Sequence, residues 1–215
     1  MTTKQEQIHL AENAALERVL RRALKKTGEA LPGISSRALG RPLQILDLAC
    51  GSCREAGTLV EVFRDFEGSD RDVRLVGADI RDRELAEAAL RARVSGKTRD
   101  QFEFLAGNCA QLEKHRELGS GFDVTFLRHQ NYWNDKLVWQ RIFEQGLEKL
   151  KDDGLLVITS YFDREHALAL QALERAGAEL IVTEQNEATR GLGTLGKSVD
   201  RHVAVFRKNA RSSYP

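Results

Sequence analysis

The chain of 215 residues has few of the residues that mark special classes of protein. It holds three cysteines and three prolines, and 7% of its residues are aromatic. Three cysteines are too few, and odd in number, for a disulfide-stabilised secreted fold, so we predict a reducing, cytoplasmic location. No apolar run approaches the ~20 residues that cross a bilayer, and the polar N-terminus lacks the apolar core of a signal peptide. We therefore expect no membrane association.

An excess of charge of one sign is also missing. Lys and Arg total 33 and Asp and Glu total 32, which leaves a net charge of +1. This balance gives no strong signal for a nucleic-acid surface. Hydrophobic residues make up 41% and charged residues 30%, as is typical of globular proteins. The length fits one large α/β domain.

Strand and helix patterns alternate through most of the chain. The predicted strands are Leu43–Leu48, Val73–Ala78, Phe102–Ala106, Asp123–Leu127, Leu155–Ser160, Glu179–Glu184 and His202–Arg207. The predicted helices are Glu6–Lys26, Arg54–Asp65, Arg83–Val94, Asn134–Lys151 and Arg164–Ala176. This alternation, with apolar strands, predicts a mostly parallel seven-stranded sheet covered by helices on both faces. The last two strands have no helix between them, which predicts an antiparallel hairpin.

Three segments follow from this pattern. Residues 1–42 form a predicted helix and a linker rich in glycine, proline and serine. Residues 43–208 form the α/β domain, and residues 209–215 form a polar tail. The N-terminal helix is expected to act as a lid or as a packing extension, with a homodimer contact as the alternative.

The most informative segment is Gln44–Cys53. It predicts a short buried strand that ends in a turn of small residues, with a helix beginning near Arg54. Small side chains let a ligand approach the backbone, and free helical N–H groups favour polar or anionic ligand groups. Asp47 lies inside the apolar run, and a second acid, Asp79, ends the next strand. An acid in that position is suited to hold a pair of ribose hydroxyls.

These features resemble the class I S-adenosylmethionine-dependent methyltransferases over about residues 43–208. Asp47–Cys53 is similar to the family's glycine-rich first motif, with Ala49 and Cys53 where the family often has glycine. Asp79 corresponds to its ribose-binding acid. Further similar segments are Gly107–Cys109, Phe122–His129, Asp152–Val157 and the closing hairpin. The resemblance implies a Rossmann-like, three-layer αβα sandwich and S-adenosylmethionine as cofactor. The turn keeps its shape if neither substituted position needs a positive φ.

The resemblance also implies a set of cofactor contacts. They come from Asp47, Ala49, Cys50, Gly51, Ser52, Asp79, Ile80, Asn108, Cys109 and Arg128. In this interpretation Asp79 accepts the ribose hydroxyls, Ile80 packs on the adenine, and Asn108 contacts the adenine edge. Arg128 closes the methionine side, while Asp47 orders the turn. For Asp47, Asp79 and Asn108 the alternative is a capping or turn role without a ligand.

His129 is the candidate for proton transfer, because it follows the fourth strand and an imidazole titrates near neutral pH. A hydrogen-bonded loop histidine is the alternative. The aromatic residues Tyr132, Trp133 and Tyr161 are predicted to form a substrate wall, with a core position as the alternative for Trp133. We expect a small-molecule methyl acceptor, with a protein or RNA acceptor as the alternative.

Other classes of function compete with this interpretation. Cys50 and Cys53 form a C-x-x-C motif at a strand-to-helix turn, which is also the context of a thiol-redox pair. A non-catalytic Rossmann-like binding module is a further alternative, because two glycines of the motif are missing. A metal site formed by Cys50, Cys53 and Cys109 would need the turns after the first and third strands to converge, so we predict no metal.

Overall fold

The structure is a computed structural model that describes residues 3–31, 41–67, 71–94 and 100–209. Its strands are β1 (Leu43–Leu48), β2 (Val73–Asp79), β3 (Gln101–Ala106), β4 (Phe122–Leu127), β5 (Leu150–Ser160), β6 (Ala178–Gln185) and β7 (His202–Lys208). Its α-helices are α1 (Lys4–Ala30), α2 (Ala56–Phe66), α3 (Asp82–Val94), α4 (Lys136–Lys149) and α5 (Asp163–Arg175). Two short 3₁₀ helices, Cys109–Lys114 and Arg116–Leu118, follow β3. None of the helices in these ranges combines the length and apolar character needed to cross a bilayer.

The seven strands form one sheet in the order β3-β2-β1-β4-β5-β7-β6. Strands β1 to β5 pair in parallel, whereas β7 lies antiparallel between β5 and β6. The strand order reverses between β1 and β4, and ligands of open α/β sheets bind outside the carboxyl ends of the strands at such a point. The predicted parallel sheet with an antiparallel C-terminal hairpin is confirmed.

Two apolar layers cover the sheet, one on each face. Helices α1 and α2 contribute Leu16, Leu20 and Phe63 to the first layer, where they meet alternate residues of the strands. Phe143 of α4 and Leu173 of α5 belong to the second layer. All five side chains are fully buried. Burying a side chain of this size stabilises the fold by roughly 1.5–3 kcal/mol, so both helical layers hold the sheet.

Helix α1 is longer than predicted at its C-terminal end. Its start is set by a capping box in which Thr3 Oγ1 accepts from Glu6 N, and the Glu6 carboxylate accepts from Thr3 N. The helix continues to Ala30, so Gly28 belongs to it rather than to the predicted linker. The remainder of that linker, residues 32–40, lies outside the described residues. The polar tail does too, apart from Asn209.

Strand β5 also begins earlier than predicted. Its first residue, Leu150, pairs with Phe122 of β4, and α4 accordingly ends at Lys149. The segment that separates the predicted helix from the predicted strand, Asp152–Gly154, therefore lies within β5. A Cβ added at Gly154 would lie 2.6 Å from the Leu150 side chain, so glycine lets the strand bend there.

Candidate functional site

The turn after β1 adopts a strained conformation at two positions where the resembling family often has glycine. Ala49 has φ 54° and Cys53 has φ 47°, and Gly51 between them also has a positive φ, of 56°. The left-handed region costs a non-glycine residue about 1–2 kcal/mol. The turn was expected to keep its shape if neither Ala49 nor Cys53 needed a positive φ. That condition is not met, since both residues have one. The tight turn forms nevertheless, and helix α2 begins only at Ala56.

Asp79 lies where the sequence predicted an acid, at the end of β2 and beside the turn. Its Oδ2 accepts from Gly51 N at 2.8 Å. Its Oδ1 accepts from Arg81 N and Arg81 Nε, each at 2.9 Å. Burial raises the pKa of Asp79, but the hydrogen bonds from Arg81 and Gly51 outweigh it and hold that pKa below its usual value. Asp79 is thus an ionised acceptor, and it is not the N-cap of α3, which starts at Asp82.

The Arg81 side chain covers the turn. A Cβ added at Gly51 would lie 2.6 Å from Arg81 Nη2 and 3.1 Å from Glu84 Oε2. The Arg81 side chain is 53% exposed, so it can move without disturbing the core. We call residues 47–53, Asp79 and Arg81 the turn site. A ligand that contacts the backbone of Gly51 and the carboxylate of Asp79 would take the place of this guanidinium.

Asp47 lies beneath the turn and is completely buried. Its Oδ2 accepts a hydrogen bond from Cys53 Sγ at 3.3 Å, while its Oδ1 has no partner among the described residues. Burial first, and then the Glu55 charge, raises the pKa of Asp47 well above its usual value. The hydrogen bond with Cys50 and burial likewise raise the pKa of the Cys53 thiol. A scarce thiolate disfavours the thiol-redox hypothesis.

A second polar cluster lies at the carboxyl ends of β4 and β5. Asp200, which precedes β7, accepts from Arg128 Nε at 3.1 Å and from Arg128 Nη2 at 2.7 Å. Thr159 Oγ1 donates to Asp200 Oδ1 at 2.9 Å, and Arg128 Nη1 lies 3.3 Å from Glu55 Oε2. We call Glu55, Arg128, His129, Thr159 and Asp200 the Asp200 network. Arg128, predicted to contact the cofactor, is committed to this network.

His129 is held in place at three points. Its Nε2 accepts a hydrogen bond from Asp200 N–H at 3.1 Å and also lies 2.8 Å from Asp200 Oδ1. Its backbone N–H donates to Thr159 Oγ1 at 3.1 Å, and its ring stacks on Tyr161 with centroids 3.9 Å apart. No described residue hydrogen-bonds Nδ1. In the other tautomer Nε2 carries the proton and donates it to Asp200 Oδ1 instead of accepting from Asp200 N–H, and Nδ1 then has a lone pair that can accept a proton.

Aromatic side chains extend from this cluster. Tyr161 and Phe162 follow β5, and Lys197 Nζ lies 4.5 Å from the ring centre of Tyr161 and 5.8 Å from that of Phe162. Trp133 packs on Phe162, with ring centroids 4.7 Å apart. Trp133 and Tyr161 therefore lie near His129, together with Lys197, which sequence reasoning missed. A half-buried aromatic surface with one ammonium group suits a flat or acidic ligand.

Tyr132 does not join this surface, and its predicted contact with a substrate stays a prediction. It is 6% exposed and stacks on Phe143 in the core, with ring centroids 5.8 Å apart. The chain directs Trp133 toward Phe162 and Tyr132 inward.

The residues predicted to surround an adenine have mixed positions. Ile80 is 71% exposed beside the turn site, where an apolar side chain is available to a ligand. Asn108 Oδ1 accepts from Ala110 N at 2.9 Å and so caps the first 3₁₀ helix. Cys109 is buried, and its Sγ donates to Ala78 O at 3.3 Å. Asn108 thus fills the capping role given as the alternative, while its contact with a ligand stays a prediction.

Sequence reasoning missed Asp200, Thr159 and Arg81. One signal for Asp200 was available, because a strand antiparallel to β5 starts where β5 ends, and the residue before that start reaches the same edge of the sheet. Arg81 gave no such signal, since an arginine two residues after a strand is ordinary in sequence.

Comparison with solved structures identifies the fold. The chain is similar to the CcbJ methyltransferase of Streptomyces caelestis, with 16% identity over 93% of this chain and 90% of that one and a TM-score of 0.59. It is similar to the magnesium protoporphyrin IX methyltransferase of Synechocystis, crystallised with bound S-adenosylmethionine, with 13% identity, coverage of 86% and 79%, and a TM-score of 0.58. It is also similar to a TehB-like S-adenosylmethionine-dependent methyltransferase of Corynebacterium glutamicum, with 18% identity over 86% of this chain and 88% of that one and a TM-score of 0.55. No protein-family model and no curated protein sequence matches the chain. The chain has the class I methyltransferase fold.

Proposed function

We propose that the protein is an S-adenosylmethionine-dependent methyltransferase that acts on a small molecule. The observation that carries the proposal is the pairing of a left-handed small-residue turn with the ionised carboxylate of Asp79 at the end of the neighbouring strand. When bound, S-adenosylmethionine supplies an electrophilic methyl group on a sulfonium centre.

The residues of the turn site fit a nucleoside. Asp79 offers two carboxylate oxygens that now accept from Arg81 and Gly51, and these are the acceptors that a pair of ribose hydroxyls needs. Withdrawal of the exposed Arg81 side chain removes one donor from each oxygen, while the backbone hydrogen bonds from Arg81 N and Gly51 N remain. Ile80 offers an apolar face to a base, and the turn lets a ligand approach Gly51 closely.

The Asp200 network fits the other half of the reaction. His129 is positioned by Asp200 with its Nδ1 directed away from the carboxylate, so it can take a proton from a hydroxyl or amine acceptor. Burial raises the pKa of Asp200, but His129 and Arg128 outweigh it and hold that pKa below its usual value. The carboxylate therefore stays ionised and stabilises the imidazolium that proton transfer creates.

A small acceptor is supported by the aromatic surface beside His129. Tyr161, Phe162 and Trp133 lie together at the sheet edge, with Lys197 above two of the rings. One structural neighbour is named for its action on magnesium protoporphyrin IX, a flat acidic molecule. The three cysteines are free and buried, which supports a reducing, cytoplasmic compartment.

Calorimetric titration with S-adenosylmethionine tests this proposal. We expect one site per chain, and Asp79→Ala should weaken binding by about 1–3 kcal/mol because two buried hydrogen-bond acceptors are lost. Asp82→Ala is the matched control, since Asp82 is an exposed acid three residues away that starts α3. A folded wild-type protein that does not bind at high micromolar concentration would exclude the enzyme and favour a binding module.

A further inference from the structure

Three buried groups that can bind a metal converge beneath the turn. They are Asp47, Cys50 and Cys53, and one ligand atom of each lies within 4.8 Å of the other two. Cys53 Sγ is 3.3 Å from Asp47 Oδ2. Sulfur and oxygen ligands bound at 2.0–2.3 Å to one tetrahedral ion lie about 3.5 Å apart. The Cys53–Asp47 pair already has this spacing, and the Cys50 thiol lies within 4.8 Å of both.

Asp47 gives independent evidence that the cluster lacks a partner. The residue has no exposed surface, and its Oδ1 makes no hydrogen bond to any described residue. An unsatisfied buried carboxylate oxygen is costly unless a hydrogen-bond donor or a cation compensates it. A divalent ion would supply the missing positive charge.

The backbone around the cluster keeps room for both sulfurs. Gly77 lies within β2, and a Cβ added there would be 3.0 Å from Cys50 Sγ and 3.0 Å from Cys53 Sγ. Glycine inside a strand weakens it and often marks a close approach by another group. Here the absent side chain lets two thiols meet above the strand.

The conformation of Cys53 points the same way. Its φ is 47°, where glycine is free of strain and cysteine is not. The chain nevertheless places a buried thiol at this position and directs it to a carboxylate. Strain that persists at a position where glycine would remove it motivates a functional hypothesis for the side chain.

We propose that Asp47, Cys50 and Cys53 bind one Zn²⁺ ion beneath the turn. Two thiolates and one carboxylate suit zinc, whereas Mg²⁺ and Ca²⁺ prefer ligands that are all oxygen. Binding releases the two thiol protons, and any proton on Asp47, to solvent. The ion would join the end of β1 to the start of α2 and fix the turn. Three protein ligands leave a fourth position for water.

This proposal goes beyond the methyltransferase proposal and does not depend on it. Cys109 is not part of the cluster, because its Sγ donates to Ala78 O and its side chain belongs to the apolar layer on the other face of the sheet. The site therefore differs from the three-cysteine site that the sequence argued against. Cys109 is a buried thiol of the same chain and serves as a matched control.

Cobalt titration of the full-length, reduced and metal-free protein tests the proposal. Co²⁺ is the probe, because thiolate ligands give it a near-ultraviolet charge-transfer band and a tetrahedral site gives it strong visible absorption. We expect one Co²⁺ per chain and displacement by one equivalent of Zn²⁺. Cys50→Ala and Cys53→Gly should weaken binding by at least about 100-fold, while Cys109→Ala should leave it unchanged.

Asp47→Asn keeps the size of the side chain and both thiols, and it should also weaken cobalt binding, by about 10-fold or more. Circular dichroism confirms that each variant is folded. The proposal is overturned if the wild-type protein shows no thiolate-to-cobalt band, if Cys53→Gly retains it, or if Cys109→Ala removes it. No methyl donor is present in the titration, so its result is separate from that of the calorimetry.

Discussion

Asp47 and Asp200 are two aspartates with almost no exposed surface, at 0% and 1%, yet their surroundings shift their pKa values in opposite directions. Burial raises the pKa of both. The His129 and Arg128 charges outweigh burial at Asp200 and lower its pKa. Around Asp47, one thiol donates to the carboxylate and Glu55 adds to the effect of burial. The comparison shows that partners, and not depth, decide the charge of a buried carboxylate.

The two halves of the site, the Asp200 network and the turn site, also differ in whether their carboxylates have partners within the chain. The Asp200 network is complete within the chain, because Asp200 has partners on both oxygens. The turn site is incomplete, since one Asp47 oxygen has no described partner and Asp79 is covered by a side chain that can leave. We infer that the Asp200 network is preorganised and that the turn site is suited to receive ligands.

The largest expected effect comes from breaking the complete half. Asp200→Ala leaves the Arg128 guanidinium buried without its main partner, which should cost about 3–5 kcal/mol of unfolding free energy. Urea denaturation measures this loss. Asp163→Ala is the matched control, because Asp163 also pairs with an arginine and a histidine, Arg201 and His202, but is 65% exposed. That pair should contribute about 1 kcal/mol or less, and equal losses in the two variants would contradict the comparison.

Acid should weaken the region next to the Asp200 network through His166. This residue bridges Ser160 Oγ at 2.9 Å and Thr183 Oγ1 at 2.8 Å, and burial followed by the His202 charge lowers its pKa to about 3. The unfolded chain binds this proton near pH 6.5, so the stability is complete above pH 6.5 and is lost as pH falls toward 3. Between pH 7 and pH 4 the loss should be about 2–3 kcal/mol.

Denaturation curves at several pH values for the wild type and His166→Asn isolate this contribution. The variant lacks the titrating group, so its stability should fall less over that range. Parallel curves for the two proteins would show that His166 titrates normally in the folded state.

Removing Arg81 should sharpen the contrast at the turn site. Its guanidinium must leave Asp79 before ribose hydroxyls bind there, so Arg81→Met should tighten S-adenosylmethionine binding by about 1 kcal/mol, or about fivefold. Calorimetry measures the change. Arg83→Met is the control, because Arg83 is 91% exposed and pairs with Glu87 instead. Weaker binding by Arg81→Met would mean that Arg81 contacts the ligand itself.

The smallest effect is expected from relieving strain in the turn. Ala49→Gly removes the cost of a left-handed alanine, about 1–2 kcal/mol, but glycine also makes the unfolded chain more flexible by about 0.4–1 kcal/mol. The variant should therefore gain about 0.5 kcal/mol in unfolding free energy, as measured by thermal denaturation. A loss of stability would show that the alanine methyl makes contacts that outweigh its strain.

The fold could be predicted because apolar strands and amphipathic helices alternate regularly, and a parallel order follows from helical connections. The ends of elements were less certain. The start of β5 at Leu150 depends on its pairing with Phe122, a contact between distant residues. Local pattern cannot show such a contact.

The same limit applies to the site. The turn and Asp79 were predicted because they lie close together in a recognisable local pattern. Asp200 was missed because it is 72 positions from Arg128 in sequence and follows a loop without periodicity. The core position of Tyr132 was not predicted, because sequence cannot say which of two adjacent aromatic residues points into the core.

A crystal structure with bound S-adenosylhomocysteine tests the central claim most directly. We predict ribose hydroxyls within hydrogen-bond distance of the Asp79 carboxylate, with the Arg81 side chain withdrawn from Gly51. A nucleoside bound away from the turn, with Arg81 still paired to Asp79, would contradict the account.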